Sequence, residues 1–246
     1  MSDWPSGVDR RVYNEIDSTM SEAARLAPDI AGPTWVFAHQ QTAARGRRGR
    51  AWVHPKGNFS ATLIYRPEGP IEARAQRSFV AALALADALD SIIGPGMAAA
   101  LSLKWPNDVL LNGGKIAGIL LESRDDFLSV GIGVNLVAHP EANALEPGAT
   151  GAVDLAGETG HRVDPQSFLS LLAAAYAKRE AEFTTFGFSR TRAAWLARAA
   201  RLGEVITART QSTEITGRFE DIDNSGQIVL SSERKLHVIP AAEIFF

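Results

Sequence analysis

The chain has 246 residues, of which 46% are hydrophobic, with a formal net charge of −3 and a pI near 6.0. These values suit a soluble domain with a sizeable core, alone or with a small appendage, and exclude a general attraction to nucleic acid. The sequence contains no cysteine, which excludes disulfides and thiolate metal sites, and no stretch approaches the ~18 uncharged apolar residues that would cross a bilayer. We therefore expect a cytoplasmic protein without membrane association.

The N-terminal part of the chain predicts a strand, a helix and a second strand. The first strand covers residues 12–16. A helix over about 19–26 follows, because Thr19 and Glu22 have capping-box spacing, and hydroxyls at such positions usually do no more than cap. The second strand, residues 34–39, leads into a loop rich in arginine and glycine.

That loop reads Arg-Gly-Arg-Arg-Gly-Arg-Ala-Trp over residues 45–52. Its glycines permit positive φ and close approach of a ligand to the backbone, while arginine donates in flat forks to phosphate or carboxylate oxygens. The pattern therefore predicts an anion site. Four arginines in six residues have no local counter-charge, so we expect the loop to be mobile until an anion orders it. The alternative is a solvated basic loop or a nonspecific nucleic-acid patch.

The middle of the chain predicts several short strands and one long helix. Gly94 ends the helix, and Asn112-Gly113 is a strong signal for a tight hairpin turn. Hydrophobic periodicity places the strands at 59–66, 101–104, 109–111, 115–122 and 127–135, and the helix at 71–93. Such a series predicts an α+β fold, with a mixed or antiparallel sheet and helices on one face.

Two lysines flank the corner Trp-Pro-Asn-Asp at residues 105–108. The chain has only five lysines among its 25 basic residues, so lysine at positions 104 and 115 suggests sites that need a compact ammonium against a phosphate oxygen. Asn107 and Asp108 supply hard oxygen ligands, suited to Mg²⁺ that is bound mostly through water and phosphate. The alternative is two ordinary lysines at strand ends.

The C-terminal part predicts two helices and then a small β unit. A loop over 138–150 precedes helices over 165–183 and 188–201. Beyond a boundary at Gly203, alternating segments predict short strands over 204–210, 214–222, 227–231 and 236–239. We therefore divide the chain into a main domain, 1–202, and a β domain, 203–246, which is too small to hold much core of its own.

Three segments together resemble the biotin–protein ligase family. They are the loop at 45–52, Lys-Trp-Pro-Asn-Asp at 104–108 and Gly-Lys-Ile-Ala-Gly-Ile-Leu-Leu-Glu at 114–122, and the resemblance extends over most of residues 12–136. It implies the mixed sheet and helices of class II aminoacyl-tRNA synthetases and biotin ligases, with a small SH3-like barrel at the C-terminus. It also implies an ATP-dependent enzyme that forms a carbon–nitrogen bond. Biotin is activated as biotinyl-AMP, with Mg²⁺ accompanying ATP, and is transferred to a lysine of a biotin carboxyl carrier protein by the catalytic domain, 1–202.

The resemblance also assigns site residues. It implies catalytic roles for Arg47, Lys115 and Asp108, with Asp108 as the magnesium ligand. The biotin-binding residues are then Ser18, Thr19, Met20, Gln41, Arg45, Gly46, Arg47 and Lys115. The ATP-binding residues are Arg45, Arg47, Arg50, Trp52, Lys104, Asn107, Asp108, Lys115 and Asn135. Two positions depart from the family pattern, which has asparagine in place of Met20 and glycine in place of Ala44.

Two other functions stay open at this point. A lipoate–protein ligase would share the fold, although the complete Arg-Gly loop together with Lys-Trp-Pro-Asn-Asp favours biotin. A non-catalytic protein could use the same loop to bind nucleic acid, which retention on DNA-cellulose would reveal. Because the family resemblance begins near residue 12, we expect no helix-turn-helix domain and no operator DNA binding. The sequence leaves a homodimer open.

Overall fold

The computed structural model describes residues 4–53, 55–94, 96, 100–141, 150–210, 212–233 and 235–246. Within these ranges the helices are α1 Thr19–Leu26, α2 Arg77–Ile93, α3 Leu155–Thr159, α4 Pro165–Phe186 and α5 Phe188–Leu196. The strands are β1 Asp9–Ile16, β2 Thr34–Gln41, β3 Phe59–Tyr65, β4 Leu101–Lys104, β5 Asp108–Leu111, β6 Gly114–Arg124, β7 Phe127–Val134, β8 Val205–Arg209, β9 Glu214–Ile222, β10 Ile228–Ser232, β11 Lys235–Ile239 and β12 Glu243–Phe245. None of the helices in these ranges is long and apolar enough to cross a membrane.

Strands β1 to β7 form the larger sheet, in the order β1-β2-β3-β7-β6-β5-β4. β1 and β2 run parallel, as a connection through helix α1 allows, and the other neighbours run antiparallel. At the predicted hairpin turn, φ is 50° at Asn112 and 83° at Gly113, the pair of positive values that this turn type requires. The predicted mixed sheet is therefore confirmed.

The two faces of the larger sheet are covered unequally. Side chains alternate along β3, so that Ala61 and Leu63 pack in the main core with α2 and α4, whereas Ile64 packs with α1 on the other face. The long apolar helices thus cover one face, as predicted. The short helix α1 covers part of the opposite face, and the uncovered part carries the cavity described below.

Predicted and observed bounds differ where a segment is short or polar. The helix predicted over 71–93 begins as a 3-10 turn, Ile71–Arg74, and becomes α-helical only at Arg77. The helix predicted over 188–201 ends at Leu196, and α3 was not predicted because its five residues are too few to show a helical period. The loop predicted over 138–150 lies partly at 142–149, outside the described residues.

The smaller sheet contains β8 to β12 in the order β11-β10-β9-β8-β12, with every neighbouring pair antiparallel. It agrees with the predicted small SH3-like unit, except that β12 was not predicted. The unit leans on the rest of the chain, since Trp105 Nε1 donates to the Gly226 carbonyl at 3.0 Å and Arg192 pairs with Asp221. The division at residues 202 and 203 stays a prediction.

Candidate active site

A cavity of about 560 Å³ opens on the face of the larger sheet that α1 covers in part. Every site residue implied by the family resemblance lines it: Ser18, Thr19, Met20, Gln41, Arg45, Gly46, Arg47, Arg50, Trp52, Lys104, Asn107, Asp108, Lys115 and Asn135. The fold therefore brings these dispersed residues together. Their individual roles stay predictions.

One end of the cavity is a buried hydrogen-bonded group formed by α1, β2 and β3. Thr19 donates to Gln41 Oε1 from its backbone N at 2.7 Å and from its hydroxyl at 3.2 Å, and Thr62 donates to the Thr19 hydroxyl at 2.9 Å. Thr19 and Thr62 are 3% and 0% exposed. Ser18 stands at the N-cap of α1, but its side chain makes no cap hydrogen bond to this helix. Capping therefore does not explain the hydroxyls at positions 18 and 19.

Glycines on β7 form part of the cavity floor. A Cβ on Gly133 would stand 2.5 Å from the Trp52 ring, and one on Gly131 would stand 2.7 Å from Met20 Sδ. Side chains from other segments occupy this space, so a larger residue at either position would have to displace Trp52 or Met20. Met20 is buried, so packing takes the place of the polar contact that asparagine would offer there.

The first half of the Arg-Gly loop is held by partners from distant segments. Arg45 pairs with Glu122 at 3.0 Å and donates to Ser21 Oγ at 2.8 Å, while Arg47 donates to Asn107 Oδ1 at 3.1 Å. The expectation that the loop arginines lack counter-charge without a ligand is therefore wrong for Arg45, whereas Arg47 has a neutral amide as its partner. It considered only neighbours in sequence, whereas the larger sheet supplies Glu122 from β6.

The second half of the loop is held by Glu243 of β12. The Glu243 carboxylate lies 3.1 Å from Arg48 Nη1 and 2.5 Å from Arg50 Nη2. Glu243 and Phe245 also line the cavity, so the C-terminal unit forms part of its wall. Sequence reasoning missed both residues, because a three-residue strand is too short for alternation to show.

The loop backbone departs from what its glycines suggest. Positive φ occurs at Arg48 (57°) and Gly49 (74°), whereas Gly46 has a φ of −105° and only an ordinary contact where a side chain would stand. Ala44 is absent from the positive-φ positions of the described chain, so its Cβ costs no strain. A left-handed arginine is uncommon, and such positions concentrate in functional loops.

Lys115 is fixed beside the corner at 105–108. Its Nζ lies 2.7 Å from Asp108 Oδ1, a charge contact rather than an aligned hydrogen bond. Its backbone N donates to the Gly151 carbonyl at 2.7 Å, and its carbonyl accepts from the Val153 N–H at 3.0 Å. The hairpin β5-β6 thus places the ammonium next to the carboxylate, as the turn at Asn112-Gly113 predicts.

Lys104 and Arg47 are the less hydrated cations of the cavity. Lys104 is 7% exposed and donates to the Thr150 hydroxyl at 2.5 Å. Burial lowers the pKa of Lys104 and is also the main cause that lowers the pKa of Arg47, while the nearby Asp108 charge opposes both shifts. An anion in the cavity would therefore be attracted to both side chains.

Besides Asp108 Oδ1, two buried polar atoms on the cavity wall have no hydrogen-bond partner in the described part of the chain. Asn135 is 2% exposed, and its Nδ2 donates to the Val153 carbonyl at 3.0 Å, which leaves Oδ1 unpaired. Ser60 is 3% exposed, and its Oγ is unpaired. Such atoms are rare in native proteins, and on a cavity wall each one can pair with water or with a polar ligand atom. Ser60 was not predicted, because a serine within an apolar strand gives no signal.

Two protein-family models match the chain. The Biotin/lipoate A/B protein ligase family matches residues 13–136, about half of the chain, and the Biotin protein ligase C terminal domain matches residues 202–246. The chain is 58% identical to Biotin--[acetyl-CoA-carboxylase] ligase from Paracoccus denitrificans, over 94% of this chain and 97% of the relative. It is 31% identical to the protein of the same name from Mycobacterium tuberculosis, over 90% of this chain and 81% of that relative.

A solved structure shows the same architecture. Biotin protein ligase from Aquifex aeolicus, in complex with biotin and ATP, superposes with a TM-score of 0.81 at 26% identity, over 96% of this chain and 97% of that one. The similarity therefore includes both sheets. On these matches, the chain belongs to the Biotin/lipoate A/B protein ligase family.

Proposed function

We propose that this chain is an ATP-dependent ligase that activates biotin as biotinyl-AMP and transfers the biotinyl group to a lysine of a biotin carboxyl carrier protein. One observation carries the proposal: a single cavity has a buried hydrogen-bonded group at one end and a cluster of cations at the other. The polar ring of biotin would meet the hydrogen-bonded group, and its carboxylate tail would meet the cations. The Paracoccus denitrificans relative, named for joining biotin to acetyl-CoA carboxylase, supports the same substrate.

The buried end suits the ring of biotin. Ser18, Thr19 and Gln41 surround a cyclic urea with oxygen and amide groups, and Met20 offers an apolar surface to the sulfur-containing ring. A Cβ at Gly46 would make only an ordinary contact, with the Arg50 carbonyl at 3.8 Å, and the absence of a side chain lets a ligand approach the backbone.

The cation end suits the first reaction step. An oxygen of the biotin carboxylate attacks the α-phosphorus of ATP, a new phosphorus–oxygen bond forms, and pyrophosphate leaves. Lys115 and Arg47 offset the repulsion between the two reacting anions, and Lys104 faces the phosphates from its buried position. Arg45 and Arg50 exchange their carboxylate partners for the ligand when the loop closes.

The nucleotide has its own set of contacts in this proposal. The unpaired Oδ1 of Asn135 accepts a hydrogen bond from the nucleotide, and Trp52 offers an aromatic surface between the two substrates. Asn107 holds Arg47 in place through its Oδ1 and donates to the Ile119 carbonyl at 2.7 Å. Asn107 therefore acts on ATP through Arg47.

Mg²⁺ would accompany ATP, with Asp108 as its protein ligand. The described residues contain no cluster of three or more carboxylate or histidine side chains that could hold a metal ion alone. In nucleotide sites Mg²⁺ keeps waters and phosphate oxygens and takes one or two carboxylates, so Asp108 fits that mode. Bound there, the ion would neutralise part of the phosphate charge.

The second step transfers the acyl group. The neutral ε-amine of the carrier lysine attacks the acyl carbon of biotinyl-AMP, an amide forms, the amine loses a proton and AMP leaves. The chain has no cysteine, and this route needs no nucleophile from the enzyme. Closure of the loop over residues 42–52 would shield the adenylate from water.

Mass spectrometry of an acceptor tests the function directly. Purified protein is incubated with Mg-ATP, a biotin carrier domain, and either biotin or lipoate. We expect the biotin mass increment on the carrier and none from lipoate. An increment from lipoate alone would favour the lipoate ligase, and retention on DNA-cellulose without any transfer would favour a nucleic-acid-binding protein.

Three predictions about place and partners belong to this proposal. We infer a cytoplasmic location and no operator DNA binding, which fractionation and a gel-shift assay can check. The third concerns a homodimer, which the sequence leaves open and which sedimentation with and without a biotinyl-adenylate analogue would detect.

A further inference from the structure

The hydroxyl of Ser60 is a buried polar group that makes no hydrogen bond to the described residues of the ligand-free protein. It lines the cavity at 3% exposure, and its Oγ has no hydrogen-bond partner among the described residues. A serine hydroxyl can donate once and accept twice, and burying it unpaired costs free energy that a polar ligand atom would recover. A bound ligand could therefore supply the hydrogen-bond partner that the Ser60 hydroxyl lacks.

The strand register shows where this hydroxyl lies. Ser60 of β3 pairs with Gly133 of β7, and Thr62 pairs with Gly131. The two pairs form adjacent rows on one face of the sheet, ~7 Å apart along the strands. Thr62 belongs to the buried hydrogen-bonded group, so Ser60 occupies the row next to that group.

The cations lie at the far side of the Ser60 row. Gly118 of β6 pairs with Gly133, and Lys115 Nζ lies 3.5 Å from where a Cβ of Gly118 would stand. Ser60 is two strands away, ~10 Å across the sheet, with the Trp52 ring over the glycines between them. Ser60 therefore lies nearer to the polar end of the cavity than to the cations.

We propose that Ser60 Oγ hydrogen-bonds the cyclic urea of biotin and is a specificity-determining contact, an inference that rests on the proposed function. The neighbouring groups leave this place open. Gln41 Oε1 already accepts two hydrogen bonds from Thr19, and the Thr19 hydroxyl is engaged by both Gln41 and Thr62. Ser60 offers a donor for the urea carbonyl and acceptors for a urea N–H.

This contact gives the site a physical reason to prefer biotin in a family whose name covers biotin and lipoate. The dithiolane ring of lipoate has no hydrogen-bond donor and would leave Ser60 buried and unpaired. Sites built to bond a polar group reject analogues that lack it, because their own buried groups lose a partner.

Two substitutions test the contact in the full chain by isothermal titration with biotin. Ser60→Ala removes the hydroxyl, and Ser60→Cys nearly keeps its volume. We expect the dissociation constant for biotin to rise about 3–10-fold in both, the equivalent of one hydrogen bond. The thermal midpoint of the ligand-free variants should stay or rise, since the hydroxyl has no protein partner to lose. Ser129→Ala, a buried serine of β7 that does not line the cavity, should leave biotin affinity unchanged.

Two further ligands locate the contact. Desthiobiotin keeps the cyclic urea and lacks the sulfur, so its affinity should fall by the same factor as that of biotin, while ATP affinity stays constant. Unchanged biotin affinity in both variants, a loss for biotin without one for desthiobiotin, or a loss confined to ATP overturns the proposal. If the parent chain itself does not bind biotin, the proposed function fails and takes this inference with it.

Discussion

The two ends of the cavity are held together by different kinds of contact. At the polar end, Thr19, Gln41 and Thr62 bond one another from adjacent elements, and the two threonines are almost fully buried. At the cation end, half-exposed arginines pair with carboxylates far away in sequence, such as Arg50 with Glu243. The contacts of the polar end are therefore buried hydrogen bonds within the folded core, whereas those of the cation end are ion pairs between half-exposed side chains.

This difference has an energetic consequence. Leaving a buried hydrogen-bonding group unpaired costs about 1–3 kcal/mol, whereas exposed ion pairs contribute about 0–1 kcal/mol. Substitutions among the mutually bonded residues Thr19, Gln41 and Thr62 should therefore change folding stability and biotin binding together. Substitutions at the cation end should change the reaction or the loop while the fold stays intact.

The largest expected effect is on catalysis at the cation end. Lys115→Ala should lower the rate of biotin-dependent ATP–pyrophosphate exchange by about 10²–10³, because one charged donor to the transition state is lost. The free energy of unfolding should change little, since the Lys115 side chain is 30% exposed.

A matched control shows whether the effect of Lys115→Ala depends on where the lysine lies and not only on the loss of one positive charge. Lys178→Ala removes an exposed lysine on α4, away from the cavity, and should leave the exchange rate unchanged. An Lys115→Ala variant that makes biotinyl-adenylate at the parental rate would show that Lys115 is not the catalytic lysine.

The next largest effect tests the polar end. Gln41→Ala leaves the backbone N–H and hydroxyl of Thr19 without their acceptor, so we expect the free energy of unfolding to fall by about 1–3 kcal/mol. Biotin affinity should fall in the same variant, as measured by titration beside chemical denaturation. Gln40→Ala, its exposed neighbour on β2, should change neither quantity. Lost affinity at unchanged stability would remove the proposed distinction between the two ends.

The sequence could predict the parts of the site that lie in contiguous motifs or follow from a local turn. The loop at 45–52, the corner at 105–108 and Lys115 are such parts, because a two-residue hairpin turn fixes where Lys115 returns. The mixed sheet was predictable for a similar reason, since its strands are long enough to show alternation.

The parts that could not be predicted depend on contacts between distant segments. Glu243 meets Arg48 only after the C-terminal unit packs beside the loop, and no spacing in the sequence encodes that meeting. Gly131 and Gly133 looked like small residues of a buried strand, and the close contact that a side chain there would make appears only once Met20 and Trp52 lie over them. Ser60 likewise becomes notable only through its missing partner.

A smaller effect concerns the loop itself. Glu243→Gln keeps the side-chain shape but removes the carboxylate charge that holds Arg48 and Arg50. We expect amide hydrogen exchange over residues 42–52 to become up to about 5-fold faster in the ligand-free protein, because ion pairs between partly exposed side chains contribute only about 0–1 kcal/mol. Glu233→Gln, an exposed glutamate of the same unit, should leave exchange unchanged.

The same exchange measurement tests closure of the loop. A non-hydrolysable biotinyl-adenylate analogue should protect residues 42–52 in the parent chain. Equal protection with and without the analogue would exclude the lid, and strong protection without it would indicate a loop preformed by its ion pairs.

The smallest expected effect is a pH dependence that comes from Lys104. Burial lowers the pKa of Lys104 below its ordinary 10.5, so the unfolded chain binds this proton more tightly than the folded chain does. Between the lowered pKa and 10.5, the unfolded state thus carries more protons, and this contribution to the free energy of unfolding rises with pH. At neutral pH the charged Lys104 therefore costs stability. We expect Lys104→Met to have a slightly higher denaturation midpoint than the parent at pH 7. The gain in the free energy of unfolding should be smaller than the loss expected for Gln41→Ala, and it should shrink as the pH approaches 10.5. ATP should raise the midpoint of the parent more than that of the variant, because a bound anion stabilises the charged lysine. Denaturation at a series of pH values, with and without ATP, measures the pH dependence and the effect of ATP. A variant less stable than the parent at pH 7 would mean that the hydrogen bond to Thr150 outweighs the cost of burying the charge.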